Sequence, residues 1–279
     1  MIRKALLVGI NAYDDSPLSG CVNDAIDLRA MLISRGWESK NIRMLCDHRA
    51  TDRAMRERLR WLTYDTKSDA QLVFGFSGHG TQLRDRSGDE DLLDHKDEAL
   101  CPIDYDDIWD NPFIDDVLAD EFKRLGRNQR LTVVLDCCHS GTGTRAVRNP
   151  EEIKTELTPM RRAKFVRAPI DVELRAEGCT ATRRLGVKRR GLTFDTDPAM
   201  RHVLIAACQS NQTAADAQFG DRPNGALTRH LLNAFKTLGP AHTWVDIMLE
   251  TARTLKADGF EQTPALEGMA SLINGYPDF

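Results

Sequence analysis

Leu131-Thr132-Val133-Val134-Leu135-Asp136-Cys137-Cys138-His139-Ser140-Gly141 is the stretch on which the fold turns. Five aliphatic or β-branched residues run without polar alternation and then break into a cluster of reactive side chains. A strand covered on both faces reads this way. Residues 5–10, 71–77 and 203–208 share the property, and 41–46 is a weaker fifth run. Between these runs lie amphipathic helix candidates at 23–34, 52–64, 115–125, 224–237 and 243–255. Strands alternating with helices predict an α/β fold, a three-layer sandwich with a mainly parallel β-sheet and helices on both faces. The expected organisation is one domain over residues 1–279.

Bulk properties narrow the function classes. Apolar residues make up 41% of the 279 and charged residues 29%, an ordinary globular composition. A formal charge of −4 gives no general attraction to nucleic acid or membrane surfaces. No apolar run approaches the roughly 20 residues that span a bilayer. Met1-Ile2-Arg3-Lys4 leads at once into a short strand rather than a secretory leader, so the cytoplasm is the expected compartment. The seven cysteines include no CxxC pair and no zinc-ligand spacing. Adjacent Cys137 and Cys138 at a strand end point to opposite faces, which opposes a mutual disulfide.

Two strands end in clusters suited to chemistry. One is Val73-Phe74-Gly75-Phe76-Ser77-Gly78-His79-Gly80, and the other is the stretch quoted first. In open α/β sheets, reactive groups gather at the carboxyl edge of the strands. A histidine can act as a base near neutral pH. A cysteine thiolate is a nucleophile, and backbone N–H groups beside it can hold a developing oxyanion.

Ser77-Gly78-His79-Gly80 and Asp136-Cys137-Cys138-His139-Ser140-Gly141 resemble the two catalytic motifs of metacaspases, cysteine peptidases of the caspase-like clan. Ala5 to Tyr13, Leu18 to Ala25, Ala206-Ala207-Cys208-Gln209, Gly225-Ala226-Leu227-Thr228 and Gln262-Thr263-Pro264 resemble the same family. The resemblance implies a caspase-like fold, Cys138 as nucleophile and His79 as base. Cys137 then packs, and His139 is only a motif neighbour. The expected oxyanion donors are the N–H groups of Cys138 and of Gly80 or Gly78. Asp24, Asp136 and Ser77 correspond to an acidic pocket for the residue before the cut, implying cleavage after Arg or Lys. Asp24 also has a plain alternative as a helix N-cap.

Two regions leave choices open. Residues 85–107 are strongly acidic, and many metacaspases require calcium through positions resembling Asp97, Asp115 and Asp116. Here Asp94-His95-Lys96-Asp97 departs from the usual Asp-Gly-x-Asp, so a Ca²⁺ site and a solvated acidic loop both stand. No cofactor is needed for the chemistry itself. Residues 141–200 are basic and weakly periodic, far longer than an ordinary loop. They are expected to be a cleavable linker between a large portion, 1–145, and a small portion, 201–279. Candidate processing sites are Arg145, Arg148, Arg162, Arg167, Arg184 and Arg190. An upstream activating protease would serve as well as self-cleavage. Nucleic-acid binding by this stretch is opposed by its near lack of aromatics. The expected partners are peptides with Arg or Lys at the cut. The alternatives are a caspase-like enzyme with another preference, or a scaffold module that cuts nothing.

Overall fold

The computed structural model describes residues 1–64, 69–84, 96–105, 113–126, 128–138, 161–166, 194–195, 200–208 and 212–277. In chain order the elements are β1 (Ile2–Gly9), α1 (Cys21–Ser34), β2 (Ile42–Cys46), α2 (Asp52–Thr63), β3 (Ala70–Ser77), β4 (Gly80–Arg84), β5 (Lys96–Leu100), β6 (Phe113–Ile114) and α3 (Asp115–Phe122). There follow β7 (Gln129–Asp136), β8 (Arg161–Ala163), β9 (Phe194–Asp195), β10 (His202–Ala206), β11 (Ala215–Phe219), β12 (Arg222–Gly225), α4 (Ala226–Leu238), α5 (Trp244–Ala257), β13 (Ala265–Gly268) and α6 (Ala270–Ile273).

Seven strands form the central sheet in the order β2-β1-β3-β7-β10-β13-β9. The first five are mutually parallel, and β13 pairs antiparallel to β10. The uniform apolar runs become its middle: β3 pairs with β7 from Ala70↔Gln129 to Ser77↔Asp136. This register brings the carboxyl ends of both strands to one edge, with Ser77 and Asp136 side by side. Separate buried clusters lie against the sheet. Leu6, Phe74, Val133 and Cys137 share one with Leu59 of α2, while Val134, Ile205 and Cys138 share another with Leu231 of α4 and Met248 of α5. Cys137 and Cys138 thus enter different clusters, and both are free thiols.

The elements differ from expectation in informative places. The helix expected from 224 begins at Ala226, because Asn224 and Gly225 close β12 and are tied to Asp24 by hydrogen bonds. Asp24 is not an N-cap: α1 starts at Cys21 with Gly20 before it, and Asp24 lies in its first turn. Within 141–200, residues 161–166 run through the site described next. Two small sheets, β4-β5-β6 and β12-β11-β8, escaped the sequence reading because their strands are short and carry polar residues. No helix among the described residues is long and apolar enough to cross a membrane.

Candidate active site

Strand ends bring the site together. Ser77 ends β3, Asp136 ends β7 and Asp24 projects from the first turn of α1, all fully or nearly fully buried. Each carboxylate is held by donors from the second half of the chain. The N–H of Gly225 donates to both Asp24 oxygens at 2.9 Å, and Asn224 Nδ2 donates to Oδ1 at 3.0 Å. Thr228 donates to Asp136 Oδ2 through its N–H and its hydroxyl, both at 2.8 Å. These donors sit at the start of α4, where the helix dipole favours negative charge.

A side chain of the same protein fills the space between the carboxylates. Lys164 is 0% exposed. Its Nζ lies 2.9 Å from Asp136 Oδ1 and 3.4 Å from Asp24 Oδ2. It also donates to Ser77 Oγ at 2.9 Å and to the Asp136 carbonyl at 3.1 Å. Ser77 passes its own proton on to Asp24 Oδ2 at 2.6 Å. A buried ammonium is tolerable only with this density of partners. Burial alone would lower the Lys164 pKa, but the negative groups around it, Asp136 foremost, outweigh that and hold it well above the ordinary value. Burial pushes Asp24 up to about 7, against the lowering pull of Lys164 and with Asp136 adding to the rise.

The backbone around Lys164 is gripped as firmly as its side chain. Its carbonyl oxygen accepts from the N–H of Gly80 at 3.0 Å and of Cys138 at 3.2 Å. Its N–H donates to Ala214 O at 3.1 Å. Upstream, β8 pairs antiparallel with β11 through Ala163↔Ala215, Arg162↔Asp216 and Arg161↔Ala217. Downstream, the Val166 N–H donates to Gly80 O at 3.0 Å. Gly78 takes no part in holding this carbonyl; its N–H faces the Asp136 carbonyl at 3.5 Å.

Cys138 is buried with its Sγ accepting from the Ala214 N–H. Cys208 Sγ lies 4.0 Å from it, and the hydrogen bond that Cys208 donates to it, together with burial, holds the Cys208 thiol well above its ordinary pKa. His79 is also buried, its ring 4.6 Å from that of Tyr13. His79 Nε2 lies 2.7 Å from the Ser16 carbonyl, which can only accept. The proton of a neutral ring therefore sits on Nε2, and Nδ1 carries the lone pair. Nδ1 is buried with no hydrogen-bond partner among the described residues. Burial lowers the His79 pKa to about 4, the Ser16 bond opposing the shift, so the ring is neutral at physiological pH.

The chain matches the metacaspase, peptidase C14 domain over residues 3–146. It belongs to the metacaspase family. Metacaspase-1 of Yarrowia lipolytica is 30% identical over 95% of this chain, which spans 61% of that relative's length. The solved structure of a Geobacter sulfurreducens protein has a TM-score of 0.66 at 25% identity, covering 99% of this chain and 98% of that one. Caspase-1 from Spodoptera frugiperda has a TM-score of 0.55 at 11% identity, covering 96% and 86%, which is a likeness of fold. The caspase-like sandwich expected from the sequence is the fold the metacaspase chain has.

Sequence reasoning had named Asp24, Ser77, His79, Gly80, Asp136 and Cys138, and these lie around one six-residue segment. It missed Lys164, which no local pattern separates from its many basic neighbours, and Ala214, Asn224 and Thr228, which act through backbone or hydrogen bonds. Arg162 is exposed, two residues before the pocket-filling lysine. Arg145, Arg148, Arg167, Arg184, Arg190 and His139 lie outside the described residues, as do the side chains of Asp97, Asp115 and Asp116. Among the described residues no cluster of His, Cys, Asp or Glu could hold a metal ion.

Proposed function

We propose that this metacaspase is a cysteine endopeptidase that cuts after Lys or Arg, made as a zymogen whose first substrate is its own Lys164–Phe165 bond. One observation carries the reading. Lys164 lies with its ammonium between two carboxylates and its carbonyl oxygen between two backbone N–H groups, one of them belonging to Cys138 itself. Two backbone N–H groups on one carbonyl oxygen are what an oxyanion hole supplies during acyl transfer.

In the proposed reaction His79 Nδ1 takes the Cys138 proton, and the thiolate attacks the Lys164 carbonyl carbon. The oxyanion is held by the Gly80 and Cys138 N–H groups. As the C–N bond breaks, the imidazolium returns the proton to the Phe165 nitrogen, leaving an acyl thioester on Cys138. Water, deprotonated by His79, then releases the Lys164 carboxylate and regenerates the thiol. Selectivity follows from charge: Asp24 and Asp136 attract a cationic side chain and repel an aspartate. Until the bond is cut, the segment excludes other substrates from the same pocket. Several aspects of regulation belong to this proposal: self-cleavage, an upstream protease, and a calcium requirement.

The test is incubation of the intact chain with and without calcium, beside Cys138→Ala and Lys164→Ala, followed by mass analysis of fragments. The expected result is a fragment beginning at Phe165 from the wild type alone, and cleavage by the matured enzyme of fluorogenic peptides ending in Lys or Arg. Faster cleavage after Asp than after Arg, or a Phe165 fragment from the Cys138→Ala chain alone, would sink the reading.

A further inference from the structure

The segment that fills the site carries a second basic side chain in a built receptor. Arg161 stands three residues before Lys164, where β8 pairs with β11. Its Nη1 donates to the Gly259 carbonyl at 2.6 Å and its Nη2 to the Asp258 carbonyl at 2.8 Å. Its guanidinium carbon lies 4.1 Å from the centre of the Phe260 ring.

Each part of this receptor is fixed by something other than Arg161. The carbonyls belong to the end of α5, where Asp258 is the C-cap and Gly259 turns the chain at φ +72°. The last carbonyls of a helix lack intrahelical donors and carry its negative pole. Phe260 is buried, its N–H bonded to the Leu255 carbonyl at 3.0 Å and its ring packed near Phe219 and His230. Two consecutive carbonyl acceptors beside an aromatic ring suit a planar guanidinium, whose fork donates twice while its charge lies against the ring. An ammonium could do only part of this. Arg162, by contrast, makes one side-chain hydrogen bond among the described residues, to the Pro17 carbonyl at 2.7 Å.

We propose that the end of α5 and Phe260 form a second specificity site that selects Arg at the third residue before the cleaved Lys or Arg, so that substrates read Arg-x-x-Lys or Arg-x-x-Arg. The inference rests on the reading of residues 161–166 as a bound substrate. It also ranks the sites in 141–200: besides Arg161-Arg162-Ala163-Lys164, only Arg145-Ala146-Val147-Arg148 has Arg three residues before a Lys or Arg, whereas Arg184 and Arg190 have Ala181 and Val187 at the upstream position. A later cut after Arg148 is therefore favoured over cuts after Arg184 or Arg190.

The experiment compares kcat/KM of the processed wild-type enzyme on fluorogenic Arg-Arg-Ala-Lys and Ala-Arg-Ala-Lys peptides, then repeats the ratio with Phe260→Leu. A ratio of about tenfold for wild type, equivalent to about 1.4 kcal/mol, falling to a few-fold in the variant supports the site. Alongside it, self-cleavage at Lys164 should slow about tenfold in Arg161→Ala. Equal rates on both peptides with unchanged self-cleavage would overturn the second site while leaving cleavage after Lys intact. If wild type cuts neither peptide nor itself, the underlying proposal falls and this one with it.

Discussion

Gly225 shows how much of the pocket depends on a single missing atom. A β-carbon there would collide with Lys164 Nζ, Asp136 Oδ2 and Asp24 Oδ2 at once. Its φ of −66° is open to any residue, so the glycine is needed for space and not for backbone freedom. Gly225→Ala should therefore cut activity on Lys and Arg peptides by about 10²-fold or more, since misplacing a substrate by about 1 Å costs that much. Alkylation of Cys138 by iodoacetamide should persist, and thermal melting will report whether the fold is intact. Retained cleavage would mean that the basic side chain enters elsewhere. At this scale the sequence marked His79 and Cys138 by motif at two strand ends, and the fold brings both strand ends to one edge. The sequence was silent on Lys164, because its role depends on β11 lying beside it and nothing within its own segment records that.

Among the elements, β8 and α4 divide the labour of the site. The amino end of α4 holds the two carboxylates in place, while β8 presents a peptide along the edge of β11 as an antiparallel partner. The major strands and helices were readable because uniform apolar runs and 3.6-residue periodicity survive any context. The short strands β4, β8, β11 and β12 are half polar and exist only through their pairing, so local pattern could not find them. If β8 stands in for a substrate strand, its departure should expose the β11 edge. Hydrogen–deuterium exchange of the Cys138→Ala chain, before and after trypsin has opened the 141–200 region, checks this. Protection along Ala215–Phe219 should drop on opening and return when excess Arg-Arg-Ala-Lys peptide is added. Protection that does not change would mean that β8 stays in place after cutting.

Across the whole molecule, the site is a seam between the part before the basic stretch and the part after it. The first supplies Asp24, Ser77, His79, Asp136 and Cys138, and the second supplies Ala214, Asn224, Gly225 and Thr228. The parallel pairing of β7 with β10 holds them in one sheet, and it begins at Leu131↔His202. His202 sits on this seam with its ring 4.9 Å from that of Phe122, and burial lowers its pKa to about 4. The unfolded chain titrates this group near 6.5. Above that value both states are neutral and the fold carries no penalty. Between 6.5 and 4 the unfolded chain holds a proton that the folded chain refuses, so stability falls as pH falls. From pH 7 to pH 5 the single-site loss is about 2 kcal/mol. Urea melts of the Cys138→Ala chain at both pH values should show a drop that His202→Gln makes smaller by about 1–2 kcal/mol. Equal drops in both chains would mean that the imidazole keeps its proton in the fold, and that the seam opens to water at this edge of the sheet.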